Sequence, residues 1–263
     1  PGELTPLLQL IRPGLGVITN IGREHLEFFG DLAGVAQEEG GLAEILPTEG
    51  TLFVNGDSEW VEPMMQRSRA KVVRVGLNEK NECSARDIKF DENGVTFLVK
   101  TLRADLGGEY RIKLLGRHQV LNALLAIAVA GELGLNRAEI QRGLAECEPA
   151  KMRLQLSTAN GIQILDDSYN ANADSMLAAL ETLCDLPCQG RRVAVLGDMA
   201  ELGEQSVPAH VEVGERAAQL RIDHLFTVGK NAQTTAAAAR KAGLRHVTEF
   251  PEVQLAGEAV KTF

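Results

Sequence analysis

Short β-branched runs alternate with Ala- and Leu-rich helical patterns through residues 151–263, and this alternation restricts the fold more than any other feature of the chain. Apolar runs bounded by polar turns predict buried strands, and apolar residues spaced three and four apart predict helices that pack on them. Regular alternation of the two is typical of a parallel sheet covered by helices, so we predict a Rossmann-like α/β domain. Its predicted strands lie at residues 154–157, 162–166, 192–196, 224–228 and 246–250, and its predicted helices at residues 175–184, 208–220, 232–242 and 253–261.

Residues 1–150 start with the same rhythm and then change to antiparallel strands. Three early apolar runs, separated by helical patterns, predict a parallel sheet. Three later runs alternate apolar and polar residues and are separated by Asn-Gly and Gly-Gly turns, which predicts an antiparallel insert of hairpins. A pair of helices follows, the second capped by Asn136. The predicted strands lie at residues 16–19, 51–54, 71–75, 85–90, 95–101 and 110–115, and the predicted helices at residues 7–11, 31–46, 59–69, 120–133 and 137–146.

A domain boundary is predicted at Pro149-Ala150-Lys151. These residues follow a helix pair and precede a new series of strands, as the segment between two domains does. The length of 263 residues is typical of one or two domains. We therefore expect one domain at residues 1–150 and a second at residues 151–263.

Composition and charge exclude several classes of protein. The hydrophobic share of 44% is enough for a packed core, and the net charge of −9, without a basic stripe, argues against a protein that binds the nucleic-acid backbone. The four cysteines are too scattered for a disulfide framework and are expected to be reduced thiols. No run of roughly 18 apolar residues and no secretory leader is visible. We expect a soluble, cytoplasmic, monomeric protein without a membrane span.

Two polar loops follow predicted strands of the second domain, one at residues 166–175 and one at residues 197–203. In open α/β sheets, ligands bind at the carboxyl ends of the strands, so two such loops after neighbouring strands predict a ligand crevice. The simpler alternative for the first loop is that Asp174 or Ser175 caps the next helix and the asparagines make turns. For the second loop, the alternative is a glycine-flanked turn with capping acids.

A third polar loop, at residues 20–30, follows the first predicted strand and contains His25 and Glu27. Its position is one where a metal or phosphate site is expected, although a hydrogen-bonded structural histidine is the alternative. No Gly-x-x-x-x-Gly-Lys-Ser/Thr sequence and no Gly-x-Gly-x-x-Gly sequence after a strand occurs in the chain. A complete nucleotide-hydrolysing site is therefore not expected within these residues.

Five motifs, taken together and in this order, resemble the Mur ligase family almost from end to end of the chain. The resemblance implies the later part of a P-loop-type ATPase domain at residues 1–150, without its P-loop, and an incomplete Rossmann-like C-terminal ligase domain at residues 151–263. The motifs are Thr-Asn-Ile-Gly at residues 19–22, His-Leu-Glu at 25–27, Gly-Arg-His-Gln-Val-Leu-Asn-Ala-Leu at 116–124, Asp-Asp-Ser-Tyr-Asn-Ala-Asn at 166–172 and Leu-Gly-Asp-Met-Ala-Glu-Leu-Gly at 196–203.

The activity implied by the resemblance is an ATP-dependent amide ligation in bacterial peptidoglycan synthesis. The expected substrates are UDP-N-acetylmuramoyl-tripeptide and D-alanyl-D-alanine, joined through an acyl phosphate, with ATP and Mg²⁺ required. The present chain alone is expected to be inactive. The alternatives are a non-catalytic nucleotide-binding module and a sibling ligase that adds a different amino acid, which the element at residues 169–172 disfavours.

The resemblance also implies nucleotide contacts. Asn122 is expected to contact adenine, because an amide offers a paired donor and acceptor. Arg153 and Asp167 are expected to reach the phosphate and the ribose, and Arg153 is also a candidate catalytic residue. A guanidinium fork suits phosphate oxygens, and a carboxylate suits paired hydroxyls.

The remaining expected site residues concern the metal and the acceptor dipeptide. The resemblance makes His25 a catalytic Mg²⁺ ligand and lets Asn20 shape the same loop. Glu39 stands where the family has a carbamylated lysine, so its carboxylate is expected to supply that charge, with Glu38 as the alternative if the register differs by one. The expected residues near the dipeptide, in a cleft between the domains, are Asn170 and Asn172.

Overall fold

The structure is a computed structural model that describes residues 2–23 and 25–263. The chain forms two compact units, Pro1–Gly22 with Phe28–Pro149 and Arg23–Glu27 with Ala150–Phe263. Residues 23–27, which lie within the first predicted domain, thus belong to the second unit by their contacts. The predicted α/β class is confirmed, with a mixed six-stranded sheet in unit 1 and a parallel three-stranded sheet in unit 2.

In unit 1 the six strands are adjacent in chain order, β1-β2-β3-β4-β5-β6. The first four pair in parallel, and β4, β5 and β6 pair antiparallel. The predicted antiparallel strands therefore extend the parallel sheet, to which β4 is joined through Val75↔Cys83 and Gly76↔Ser84. The strands are β1 (Leu15–Ile18), β2 (Thr51–Asn55), β3 (Lys71–Gly76), β4 (Cys83–Asp91), β5 (Gly94–Thr101) and β6 (Gly108–Ile112).

The core of unit 1 lies between this sheet and a long helix, α6 (Arg117–Glu132), which contacts β2, β3, β4 and β5. Phe53, Phe97 and Tyr110 from the sheet and Leu124 from the helix are almost fully buried there. Large apolar side chains removed from water stabilise such a core by roughly 1.5–3 kcal/mol each. The other helices in the first 149 residues are α1 (Leu4–Ile11), α2 (Leu26–Phe29), α3 (Leu32–Glu39), α4 (Gly41–Ile45), α5 (Val61–Arg67) and α7 (Arg137–Glu146).

The single helix predicted at residues 31–46 is wrong, because the chain breaks at Gly40 into α3 and α4. The Arg67 guanidinium lies over this break, and a Cβ on Gly40 would be only 1.8 Å from Arg67 Nη1. Arg67 donates hydrogen bonds to the Ala36 and Gln37 carbonyl oxygens, each at 3.0 Å. These carbonyls lie in the last turn of α3, where helix carbonyls commonly need partners from outside the helix, although the Ala36 oxygen also accepts the Gly40 N–H at 3.0 Å.

Unit 2 contains a parallel sheet in the order β11-β10-β9 and a separate antiparallel pair, β7-β8. Helices α8, α9 and α10 bury Leu180, Val213 and Ala239 in a core shared with Leu225 of the sheet. The elements are β7 (Gln155–Ala159), β8 (Ile162–Asp166), α8 (Ala173–Asp185), β9 (Val193–Leu196), α9 (Ser206–Gln219), β10 (His224–Val228), α10 (Ala232–Lys241), β11 (Val247–Phe250) and α11 (Val253–Thr262).

The regular strand–helix alternation predicted for the second domain does not extend to β7 and β8, which follow one another directly, as their predicted ranges at residues 154–157 and 162–166 do. They form a hairpin joined by Asn160 and Gly161, whose φ angles are 51° and 79°. Positive φ at both central residues is what a tight two-residue hairpin turn requires, and Asn-Gly is the residue pair that adopts it most readily. Consequently β8 pairs with β7 and not with β9, so the two polar loops do not follow neighbouring strands of one sheet.

Within the described residues, helices that are both long and apolar enough to cross a lipid bilayer are absent.

Candidate functional site

The loop at residues 197–203 follows β9 and is held in unit 2 by buried apolar side chains. Met199 and Leu202 are each about 4% exposed and belong to the core of this unit. Asp198 and Glu201, which lie beside them in sequence, are exposed. This alternation anchors the loop while leaving its two carboxylates accessible.

Asp198 ties this loop to the turn before α10. Its carboxylate accepts hydrogen bonds from the backbone N–H groups of Lys230, at 2.8 Å, and Asn231, at 2.9 Å. The start of a helix favours a negative charge because its N–H groups have no intrahelical partner. Gly229 permits the close approach, since a Cβ there would lie 2.3 Å from Asp198 Oδ2. Asp198 therefore has a structural role.

His210 holds the same loop through a hydrogen bond to the loop backbone. It is almost fully buried in α9, and its Nε2 accepts a hydrogen bond from the Met199 N–H at 3.2 Å. Its Nδ1 lies 2.7 Å from the Ser206 carbonyl oxygen. Because the first contact needs a lone pair and the second needs a proton, the ring is neutral and carries its proton on Nδ1.

The segment Arg23–Glu27, hereafter the His25 segment, contacts the loop at Glu201. His25 Nδ1 lies 2.7 Å from Glu201 Oε2, and the Glu27 N–H donates to the Glu201 carbonyl oxygen at 3.3 Å. Both His25 and Glu201 have positive φ angles, 51° and 57°. His25 is hydrogen-bonded in this arrangement, which agrees with the alternative that the sequence left open beside a metal or phosphate site.

Arg23 holds the same segment to α8 and α9. Its backbone N–H and guanidinium donate to Asp174 at distances of 2.6 to 2.8 Å, and the guanidinium also pairs with Glu212. Burial lowers the pKa of Arg23, but the hydrogen bonds that it donates to Glu212 and Asp174 raise it by more. Asp174 thus binds a neighbouring cation as well as lying in the first turn of α8.

Arg153 and Asp167 lie together beside the β7–β8 hairpin. The Arg153 guanidinium carbon is 4.3 Å from the Tyr169 ring centroid, a cation–π contact, and Asp167 Oδ1 accepts the Leu154 N–H at 3.0 Å. Burial raises the pKa of Asp167, while the Leu154 N–H and the Arg153 charge oppose that rise. A cation and a carboxylate at a hairpin base can together contact a phosphorylated, hydroxyl-bearing ligand.

Asn172 is the N-cap of α8. Its side chain accepts the Ser175 N–H at 2.8 Å, and Ser175 Oγ accepts the Asn172 N–H at 3.0 Å, which completes a capping box. The capping residue is thus Asn172, whereas the alternative named Asp174 or Ser175, and Ser175 supplies the second hydrogen bond of the box. Asn170 is exposed two residues earlier.

Asn122 lines an open pocket of about 480 Å³ in unit 1. Its Nδ2 donates to Gln119 Oε1 at 3.2 Å, and the Asn122 side chain is exposed on α6. Apolar walls with one amide can accept a flat heterocycle and orient it by hydrogen bonds. The pocket is lined by Val17, Thr19, Asn122, Leu125, Ala126 and Val129.

The expected metal ligands belong to different units, His25 to unit 2 and Glu39 to unit 1. Glu39 is exposed at the end of α3. The backbone N–H groups of Gly2 and Leu4 donate to Glu38, at 2.7 and 3.0 Å, and lower its pKa. In the described chain, no three His, Cys, Asp or Glu side chains are arranged to hold a metal ion. The assignment of His25 and Glu39 as Mg²⁺ ligands stays a prediction, and no step below is derived through the metal.

Asn20 follows β1, and its Oδ1 accepts a hydrogen bond at 3.3 Å from Nδ2 of Asn55, which ends β2.

Sequence reasoning missed Arg23, Glu201 and Glu212 as a group. Glu201 lies within a motif that the resemblance rests on, whereas Arg23 and Glu212 show no local pattern. Their partners lie 151 to 189 residues away along the chain.

Comparisons with known proteins agree with this architecture. The Mur ligase middle domain matches residues 2–130, and the domain described as Mur ligase, glutamate ligase domain matches residues 152–262. UDP-N-acetylmuramoyl-tripeptide–D-alanyl-D-alanine ligase of Escherichia coli (strain K12) is 36% identical over 241 residues, which is 90% of this chain and 52% of that protein. The chain spans about half the length of the curated relatives it matches.

Two solved structures show the same fold. MurF from Acinetobacter baumannii superposes with a TM-score of 0.88 at 26% identity, over 99% of this chain and 55% of that one. MurF ligase from Thermotoga maritima in complex with ADP gives a TM-score of 0.83 at 21% identity, over 100% and 58%. With both domain profiles matched in order, the chain belongs to the Mur ligase family, whose middle and C-terminal domains it carries.

Proposed function

We propose that this chain is part of an ATP-dependent amide ligase that joins D-alanyl-D-alanine to a UDP-N-acetylmuramoyl-tripeptide in the bacterial cytoplasm. The observation that carries this proposal is the 36% identity with the Escherichia coli ligase of that name, over 90% of the chain. The motifs at residues 166–172 and 197–203 support the choice of this family member.

In the proposed reaction, a carboxylate oxygen of the tripeptide attacks the γ-phosphorus of ATP, which forms an acyl phosphate and releases ADP. The amine of D-alanyl-D-alanine then attacks the acyl carbon, loses a proton, and displaces inorganic phosphate. Preorganised cations and hydrogen-bond donors stabilise the charge that develops in such steps. Mg²⁺, with His25 and Glu39 as its ligands, stays an expectation of the resemblance.

Three residues of this chain are proposed to bind the nucleotide. Asn122 is proposed to contact the adenine edge, and its position in an open, mostly apolar pocket supports this role. Arg153 is proposed to contact phosphate and Asp167 the ribose hydroxyls. Their proximity beside the β7–β8 hairpin supports a joint role. Asn170 is proposed to contact the acceptor dipeptide, with Asn172 holding the adjacent helix start.

The test is an acceptor comparison with the full-length protein. Phosphate release is measured with ATP, UDP-N-acetylmuramoyl-tripeptide and, in turn, D-alanyl-D-alanine or a single amino acid. We expect release only with the dipeptide. Release with a single amino acid would identify a sibling ligase, and nucleotide binding without release under any condition would identify a non-catalytic module. Either result would contradict the proposal.

A matched pair of variants tests the nucleotide contact. Asn122→Ala is expected to raise the KM for ATP about 10-fold, which corresponds to about 1.4 kcal/mol of lost binding. Asn93→Ala changes an exposed asparagine in the β4–β5 turn and is the control, for which no change is expected. Equal KM values for the two variants would remove Asn122 from the site.

A further inference from the structure

Arg23, the first residue of the His25 segment, donates several hydrogen bonds to two carboxylates. Arg23 directs its backbone N–H, Nε and Nη2 to the carboxylate of Asp174, at 2.8, 2.8 and 2.6 Å. Its Nη1 and Nη2 also donate to Glu212. The Arg23 side chain is only 26% exposed. The interaction of a partly buried guanidinium with two carboxylates is stronger than a single surface ion pair.

The helices that carry the two carboxylates are held by contacts that do not involve Arg23. Asp174 lies in the first turn of α8, between Asn172 and Ser175 of the capping box, where the helix dipole favours a negative charge. Glu212 lies on α9 directly before Val213, which is buried in the core of unit 2. The backbone positions of both acidic residues are therefore fixed within unit 2, and Arg23 is the cation that binds both side chains.

A second contact orients the imidazole itself. Glu201 Oε2 lies 2.7 Å from His25 Nδ1, while the Glu201 carbonyl oxygen accepts the Glu27 N–H. Because Nδ1 carries the proton in a bond to a carboxylate, Nε2 is the nitrogen left to accept or coordinate a ligand. The backbone of the loop that carries Glu201 is held by His210 and by the buried side chains of Met199 and Leu202, which places Glu201 beside His25.

The His25–Glu201 contact holds the segment less strongly than the contacts of Arg23 do. The His25 and Glu201 side chains are 58% and 53% exposed, and exposed ion pairs are screened by water. That pair alone cannot hold the segment in one place. Arg23, which is more buried and makes more hydrogen bonds, supplies the anchor, and Glu201 selects the ring orientation.

We propose that Arg23 and Glu201 are positioning residues for His25, with Arg23 anchoring the segment on Asp174 and Glu212 and Glu201 fixing the imidazole through Nδ1. This assigns a role to Glu201, one of the two acidic residues of the loop at residues 197–203, which the proposed nucleotide contacts leave unused. The anchoring bears on catalysis only through the proposed function, in which His25 belongs to the active site.

The anchor is tested by hydrogen exchange of the full-length protein, followed on peptides that cover residues 23–29. Arg23→Met removes the charge and keeps an unbranched side chain. We expect its exchange in this region to rise at least about 10-fold, because the Arg23 and Glu27 amides lose their fixed acceptors. Arg216→Met breaks an ion pair between α8 and α9, Arg216–Glu181 at 2.7 Å, and is the matched control, with no rise expected. Unchanged exchange in Arg23→Met, or an equal rise in the control, would overturn the proposal.

The orientation is tested by ¹⁵N NMR of the His25 ring and by kinetics. Glu201→Gln is expected to convert a single Nδ1-protonated form into a mixture of tautomers. In the ligation assay, Arg23→Met is expected to lower kcat at least about 10-fold with little change in the KM for ATP, and Arg216→Met to leave both unchanged. An unaltered tautomer in Glu201→Gln would refute the role of Glu201. If exchange and NMR respond as expected but the full-length protein does not ligate D-alanyl-D-alanine, the anchoring stands and the proposed function fails.

Discussion

Substituting Gly229 by alanine tests whether Asp198 and the turn before α10 are as closely packed as the structure indicates. Gly229 has φ 112°, and a Cβ there would lie 2.3 Å from Asp198 Oδ2 and 2.6 Å from its Cγ. Gly243, in the same unit, has φ 102°, and no described heavy atom lies within 4 Å of a Cβ placed on it. Gly243→Ala therefore introduces the same kind of backbone strain without the collision.

The magnitude follows from this comparison. An alanine forced into a left-handed backbone costs about 1–2 kcal/mol, which is the expected destabilisation for Gly243→Ala. In Gly229→Ala, Asp198 must also move away from the Lys230 and Asn231 N–H groups. Each of these charge-assisted bonds contributes about 1 kcal/mol after allowance for the exposure of Asp198. We expect a total of about 3–4 kcal/mol for Gly229→Ala.

The assay is hydrogen exchange of the β10 amides in urea below the unfolding midpoint, because the chain has two units and a bulk signal would mix them. The expected difference of about 2 kcal/mol corresponds to about 30-fold faster exchange in Gly229→Ala than in Gly243→Ala. An Asp198→Ala background should reduce the cost of Gly229→Ala to that of Gly243→Ala, since the colliding group is gone. Equal exchange in the two single variants would refute this account of the turn.

Three further predictions concern single groups. Burial raises the pKa of Cys83 to about 11, so at pH 8.5 a thiol reagent should label exposed Cys147 and leave Cys83 protonated and unreacted until the chain unfolds. Burial also raises the pKa of Asp167, so its contribution to stability is complete at low pH and declines as pH rises through the folded pKa. Arg153→Ala should raise this pKa further, and ¹³C carboxyl titration showing a fall would contradict the assignment. Asn136→Ala removes the side-chain oxygen that accepts the Glu139 N–H in the α7 capping box, while the residue-136 N–H can still donate to Glu139, and should destabilise that helix by about 1 kcal/mol, measured as faster exchange of its first-turn amides.

Local sequence signals were sufficient for much of the secondary structure. The predicted strands at residues 162–166 and 224–228 coincide with β8 and β10, and the helix capped by Asn136 coincides with α7. The reason is that caps, β-branched runs and helical periodicity act over a few residues. The Asn160-Gly161 turn is an equally local signal. It indicates the β7–β8 hairpin, although the alternation of strands and helices around it favours a parallel arrangement.

The candidate site also combines features that the sequence predicts and contacts that only the tertiary structure shows. The sequence by itself determined that polar loops follow the strands, and the order of their motifs was enough to indicate the Mur ligase family. Only the tertiary structure decided which side chains meet: Arg23 with Asp174 across 151 residues, and Asp198 with the turn at Gly229. No periodicity encodes such pairs, because they form when separate elements pack and bring distant charges and N–H groups within hydrogen-bonding distance.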